Sequence, residues 1–147
     1  MKDRINRISK KGMLVVPGTK AIDELSGRVI GAAMRVHSTL GPGFVETVYR
    51  NALALEMALE GIPVEREVKL EVRYRGELVG QYRADILVAG VLILELKAVQ
   101  TMLPEHEVQV VNYLAATGLE QALLLNFGTR SLQFKKKFRT PPPPGSC

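Results

Sequence analysis

The chain has 147 residues, 46% of them apolar and 24% charged, which suits a single domain able to bury a core without staples. Its one cysteine, Cys147, excludes an internal disulfide framework and a cysteine-based metal site. No apolar run approaches the roughly 18 residues of a membrane span, and the first residues lack the apolar core of a secretory signal, so a cytoplasmic protein with no membrane partner is expected. The formal net charge of +5 invites a nucleic-acid reading, but the excess is local. Residues 1–20 hold six Lys/Arg and one acid, whereas residues 21–139 hold fourteen of each. The charge therefore belongs to a basic leader and says little about the domain.

The order of elements is legible. Residues 1–20 show no sustained periodicity and read as a disordered leader. Ile22, Leu25, Val29, Ala32, Val36 and Leu40 recur at helical spacing, and Gly41-Pro42-Gly43 stops that helix. A second helix carries Val45, Val48, Ala52, Leu55 and Leu59 on one face and ends at Gly61-Ile62-Pro63. Residues 64–75 alternate polar and apolar, as a strand with one wet face does, and Arg75-Gly76-Glu77 is a turn signal. Strands over about 78–88 and 91–98 follow, the second with the continuous apolar run of a strand buried on both faces.

Pro104 fits the first position of a helix running to Thr117, with Gly118 as its C-cap and Val108, Val111 and Ala115 as its core face. Residues 121–126 predict another buried strand. Residues 131–138 predict an edge strand whose lysines discourage pairing with other chains. Residues 140–147, with four consecutive prolines, read as a disordered tail. The predicted domain is 21–139: a mixed α+β sheet with helices packed on it and a βαβ crossover through residues 105–117.

Three polar residues occupy positions where a core strand would be apolar: Asp85, Glu95 and Lys97. Glu95 and Lys97 are two apart and project from one face of a strand. Asp85 joins them only if the intervening hairpin has an odd-numbered loop. A three-residue hairpin with Gly90 left-handed and bulged meets that demand, whereas a two-residue turn at Ala89-Gly90 sends Asp85 to the other face. Two carboxylates together bind a hard divalent cation such as Mg²⁺, to which the Leu96 backbone carbonyl could add a ligand. A cation so held lowers the pKa of a bound water, and Lys97 would orient that water or stabilise the anion. A cross-strand salt-bridge cluster accounts for the same spacing.

Asp85 with Glu95-Leu96-Lys97 matches the D…(D/E)xK signature of the PD-(D/E)XK nuclease superfamily. Gly43-Phe-Val-Glu46-Thr-Val-Tyr49 resembles the motif that names the GxxExxY family, small proteins placed in that superfamily. Val36-His37, Tyr82-Arg-Ala-Asp85, His106-Glu-Val-Gln109 and Asn112-Tyr113-Leu114 resemble it in the same order, over roughly residues 22–139. The resemblance implies a restriction-endonuclease-like α-β-β-β-α-β core with an extra N-terminal helix and a C-terminal edge strand. It implies hydrolysis of DNA or RNA with Mg²⁺ (or Mn²⁺), Glu46 facing the metal, and Gln109 and Tyr113 beside the site.

The residues themselves leave alternatives. Glu46 is also favoured as a carboxylate in the first turn of a helix. His37 reads as a helix-end histidine satisfied by backbone as well as a ligand, and Tyr49 and Tyr113 serve as core tyrosines. The alternative function is a non-catalytic nucleic-acid- or protein-binding module that retains the fold.

Overall fold

The computed structural model describes residues 19–139, and the expected leader and tail otherwise lie outside them. Helix α1 (Thr19–Leu40) and helix α2 (Glu46–Leu59) precede strands β1 (Val64–Tyr74), β2 (Glu77–Val88) and β3 (Leu92–Lys97). Helix α3 (Pro104–Thr117) then leads to β4 (Gln121–Asn126) and β5 (Gln133–Phe138). The five strands form one sheet in the order β1-β2-β3-β4-β5. Three pairs are antiparallel, and β3 and β4 run parallel, joined by α3 as the crossover. This is a restriction-endonuclease-like mixed α+β fold.

The central strands are apolar because both of their faces are covered. All six residues of β4 are buried, as are Leu92 to Glu95 and Leu96 in β3. On one side Leu92, Leu94, Leu96, Leu123 and Leu125 meet Val29, Ala33 and Val36 of α1 and Tyr49, Leu53 and Met57 of α2. On the other, Ile93, Ala122 and Leu124 meet Val110, Tyr113 and Leu114 of α3. The sheet thus lies between two helix layers, the arrangement that lets parallel strands be buried.

Two helices bury a different stripe from the one their periodicity suggests. In α2 the core face is Tyr49, Leu53, Ala54 and Met57, while Val45, Leu55 and Leu59 are exposed. In α3 Val110, Tyr113, Leu114 and Thr117 are buried, whereas Val108 and Ala115 face out. Both helices carry apolar residues on more than one side, so periodicity alone does not select the face. A tyrosine decides each case: its ring occupies the core and turns aliphatic neighbours outward.

The end of β3 is fixed by a clamp from β4. Asn126 Oδ1 accepts from the backbone N–H of Val99 and of Gly128, each at 3.0 Å. Its amide nitrogen donates to Val99 O at 2.9 Å and to Gln133 Oε1 at 3.0 Å. Gly128 lies so close to this segment that a Cβ would stand 2.3 Å from Val99 N and 2.5 Å from the Ala98 carbonyl carbon. Backbone cannot yield there as a flexible side chain does, so Gly128→Ala should lower stability by about 1–3 kcal/mol or more. Thermal or urea unfolding checks this, and a melting temperature equal to that of the native chain would contradict the packing described.

Candidate active site

The hairpin joining β2 to β3 decides which residues meet. Ala89 and Gly90 both have left-handed backbone, at φ 51° and 72°, and Val91 N–H bonds to Val88 O at 3.0 Å. That is the geometry of a two-residue turn, yet the strands pair Val88 with Leu92, Leu87 with Ile93 and Ile86 with Leu94. Val91 is the extra residue, a bulge that restores the odd-numbered register. Carried one step further, this register brings Asp85 opposite Glu95.

At that step the backbone ladder stops and side chains replace it. The Asp85 N–H donates to Glu95 Oε1 at 3.1 Å, and the Leu96 N–H donates to Asp85 Oδ2 at 2.8 Å. Each carboxylate has therefore entered the seam between the strands through one oxygen and kept the other free of the backbone. On β2 the pleat is interrupted here, with Ala84 and Leu87 packing on one side of the sheet and Ile86 and Val88 on the other. On β1 the neighbour across is Glu67, whose φ of 53° is rare inside a strand. The regular sheet opens on both sides of Asp85. The two carboxylates thus meet in a seam, where the sequence suggested side-by-side positions on a flat face. In an extended strand the N–H and C=O of one residue point the same way, so the Leu96 carbonyl also faces this seam.

The electrostatics follow from burial. Glu95 is 5% exposed, and its pKa is raised from 4.5 to about 8, first by loss of solvent and next by the charge of Asp85. The Asp85 N–H and the ammonium of Lys97 oppose that shift, and Glu46 adds to it. The Glu46 residue as a whole is exposed, but partial burial of its carboxyl raises its pKa as well. Asp85 pushes in the same direction, against Lys97, Arg50 and His106. Glu46, Asp85, Glu95 and Lys97 are therefore one electrostatic group.

Tyr113 of α3 joins that group, since burial first and then the charges of Glu95 and Asp85 disfavour its ionisation. Its ring lies 5.6 Å from that of Tyr82. The two rings, with Gln109, Asn112, Val108, Glu105 and Pro104, line an open groove of about 350 Å³, and neither Asp85, Glu95 nor Lys97 is part of its lining. Of the lining residues, Tyr113 is the one that feels the charges of Glu95 and Asp85. His106 is occupied in capping α3, its Nδ1 accepting the Leu103 N–H at 3.0 Å.

Two residues suggested by sequence serve the scaffold. Tyr49 is fully buried and stacked 4.7 Å from Phe127. Its hydroxyl donates to Gly41 O and accepts the Phe44 N–H, which pins the loop before α2 and so sets Glu46 in the first turn. His37 is also buried, with Nε2 2.9 Å from the Thr129 carbonyl, so the backbone satisfies it away from the carboxylates. Lys135 and Lys137 pair with Glu107 of α3 at 2.9 and 3.0 Å, as a solvated edge would.

Arg50 and Glu67 were not among the sequence candidates. Arg50 Nη1 lies 3.6 Å from Asp85 Oδ1, and its Nη2 lies 3.8 Å from Glu67 Oε1. The signal for Arg50 was present, since it follows Glu46 by four residues and shares its helix face. Nothing in sequence announces the left-handed backbone of Glu67.

A family model described as the PD-(D/E)XK nuclease superfamily matches residues 23–139, the segment that carries this site. The chain belongs to the PD-(D/E)XK nuclease superfamily. None of the curated proteins compared matches it. Among solved structures it is similar to one titled "Crystal structure of SSO0001", with 16% identity, a TM-score of 0.46, and coverage of 93% of this chain and 76% of that one. Among the described residues no helix is long and apolar enough to cross a membrane.

Members of the superfamily are generally nucleases that use Mg²⁺ or a similar divalent cation. Among the described residues no three His, Cys, Asp or Glu groups stand close enough to cage a metal. The donor set nevertheless fits a hard cation that keeps several waters: one or two carboxylates suffice for Mg²⁺, and Asp85 and Glu95 each retain one oxygen free of the backbone.

Burial of Glu95 makes stability depend on pH in a definite direction. Its folded pKa lies above its unfolded value, so the stabilisation from holding a proton is fully present below about 4.5 and is lost as pH rises through about 8. Glu95→Gln imitates the protonated form and still accepts from Asp85. With EDTA present, that variant should melt above the native chain at pH 9, and the difference should vanish near pH 4. Parallel melting curves across this range would contradict the buried, charge-coupled placement.

Proposed function

We propose that the protein is a Mg²⁺-dependent nuclease of the GxxExxY group, hydrolysing phosphodiester bonds of nucleic acid at the seam between β2 and β3. The observation that carries this reading is the pair of carboxylates facing each other where the strands part, with an ammonium two residues beyond. Asp85, Glu95 and the Leu96 carbonyl would hold the cation, with Glu46 of α2 acting on them through its charge. Buried carboxylates are costly unless neutralised, and Glu95 is raised to about 8 beside Asp85. Near neutral pH Glu95 therefore holds a proton, which a bound cation would displace as it takes the carboxylate.

When bound, a divalent cation supplies an acidified water and screens charge on phosphate. The remaining work falls to the chain's own groups. Lys97 would place its ammonium near the attacking water and the phosphoryl oxygens, where it counts more as negative charge grows. Tyr113 and Gln109 would orient the nucleotide along the groove they line with Tyr82, the Gln109 amide by hydrogen bonds and Tyr82 through its half-exposed ring. The likeness of Gly43-Phe-Val-Glu46-Thr-Val-Tyr49 to the group's motif supports the same reading. Here its glycine and tyrosine shape the loop, and its glutamate is coupled by charge to Asp85, Glu95 and Lys97.

Glu95→Ala and Lys97→Ala should fail differently. Removing Glu95 takes away a ligand charge, so metal affinity by calorimetry and cleavage should fall together, with partial rescue by excess Mg²⁺. Removing Lys97 takes away a cation beside the metal, so affinity should hold or rise while turnover falls by roughly two to three orders of magnitude. Purified native chain that cleaves neither DNA nor RNA with Mg²⁺ or Mn²⁺ would contradict the enzyme reading and favour a non-catalytic module.

A further inference from the structure

Arg50 is the basic group of the site that neither the sequence signature nor the metal reading explains. It projects from α2 one turn beyond Glu46, and its side chain is 18% exposed. Its two ion-pair distances, 3.6 Å to Asp85 and 3.8 Å to Glu67, both exceed hydrogen-bond length. Its Nε is buried and has no acceptor among the described residues. Other arginines of the chain are bonded more closely: Arg35 Nε to Glu56 at 2.9 Å, Arg66 to the Asn51 side chain at 2.8 Å, and Arg73 to Glu71 at 3.1 Å. The most enclosed arginine among the described residues is thus held between two carboxylates and hydrogen-bonded to neither.

A buried donor without an acceptor is costly in a folded protein. Nε itself has no room for a ligand atom, so the free capacity lies in the two Nη groups, whose hydrogens no carboxylate takes at hydrogen-bond length. Together the Nη groups form a flat fork matched to two oxygens of a phosphate, a match an ammonium lacks. The neighbourhood selects the same kind of ligand. A phosphodiester entering between Glu46, Asp85 and Glu95 meets three carboxylates, and Arg50 and Lys97 are the cations that offset them. Glu67, whose backbone is left-handed, sets a carboxylate near the other Nη of Arg50 and is shared with Arg83 at 3.6 Å. Arg50 is thereby kept near Asp85 without a full ion pair that would have to break before an anion could bind.

We propose that Arg50 is a phosphate-binding residue of this site, taking non-bridging oxygens of the substrate's phosphodiester through its two Nη groups. The proposal rests on the nuclease reading above and adds to it a group that recognises substrate. A purely structural role would make Arg50 a neutraliser of Asp85, and its loss would then lower stability and leave nucleic-acid binding unchanged.

The test is binding by the full chain of fluorescein-labelled single-stranded and duplex oligonucleotides, in EDTA and in Ca²⁺, followed by anisotropy. Melting temperatures and Mg²⁺ calorimetry are recorded for each variant. Arg50→Met should weaken binding at least about tenfold, with Mg²⁺ affinity unchanged or higher because a neighbouring positive charge has gone. Arg50→Lys keeps the charge without the fork and should still bind several-fold more weakly than the native chain. Lys136→Met, which removes an equal charge from β5, should change affinity by no more than about twofold. Oligonucleotide affinity of Arg50→Met equal to the native value would overturn the proposal and leave the nuclease reading intact. If Arg50→Met does not fold, native affinity in Arg50→Lys overturns it equally. A native chain that binds no oligonucleotide in either condition overturns both.

Discussion

Where β2 and β3 part, two carboxylates take over hydrogen bonds that the backbone would otherwise make: the Asp85 N–H goes to Glu95 Oε1 and the Leu96 N–H to Asp85 Oδ2. This exchange satisfies two buried donors while the strands diverge, so the sheet can open without leaving them unpaired. It also fixes each carboxylate by one oxygen and leaves the other to face the seam. The same two bonds shape the scaffold and, on the function proposed above, prepare a place for a cation. Loss of solvent, and then the neighbouring charge of Asp85, raise the pKa of Glu95, and the same two causes act on Glu46 against Lys97.

The rest of the fold keeps that opening in place. The bulge at Val91 sets the register that brings Asp85 to Glu95. Buried β4 anchors β3 in parallel, and Asn126 holds the segment just beyond Lys97. Tyr49 ties down the loop before α2 and so fixes where Glu46 and Arg50 begin. On α3, Tyr113 feels the charges of Glu95 and Asp85 and with Tyr82 lines a groove. None of these supports is chemical in itself, but each removes a freedom that would let the two carboxylates move apart.

Much of this was legible in the residues. Element order followed from periodicity and from glycine and proline stops. Asp85, Glu95 and Lys97 stood out as charges in strands otherwise fit for a core, and the required hairpin could be stated as a condition on Ala89 and Gly90. Less was legible where neighbours decide. The core faces of α2 and α3 were misassigned because Val45, Leu55 and Val108 compete with Tyr49 and Tyr113, and only the sheet's shape selects between them. Tyr49 spends its hydroxyl on the loop just before its helix, and His37 is satisfied by backbone as one reading of the sequence allowed, though its partner, Thr129, lies where no local pattern points. Arg50 looked like an ordinary helix-surface arginine until Asp85 and Glu67 were brought to it. Glu67 depends on a left-handed residue inside a strand, which sequence propensity argues against.

The central claim is that the seam between Asp85 and Glu95 is a cation site built into the sheet. The amides of Asp85 and Leu96 report on it directly, because each donates to one of the two carboxylates. A ¹H–¹⁵N spectrum of the isotopically labelled chain titrated with substoichiometric Mn²⁺ should lose the signals of Asp85, Glu95, Leu96 and Lys97 first, while amides of β5 and the outer face of α1 persist. Broadening spread evenly over the surface carboxylates, or centred on residues away from this seam, would contradict the account.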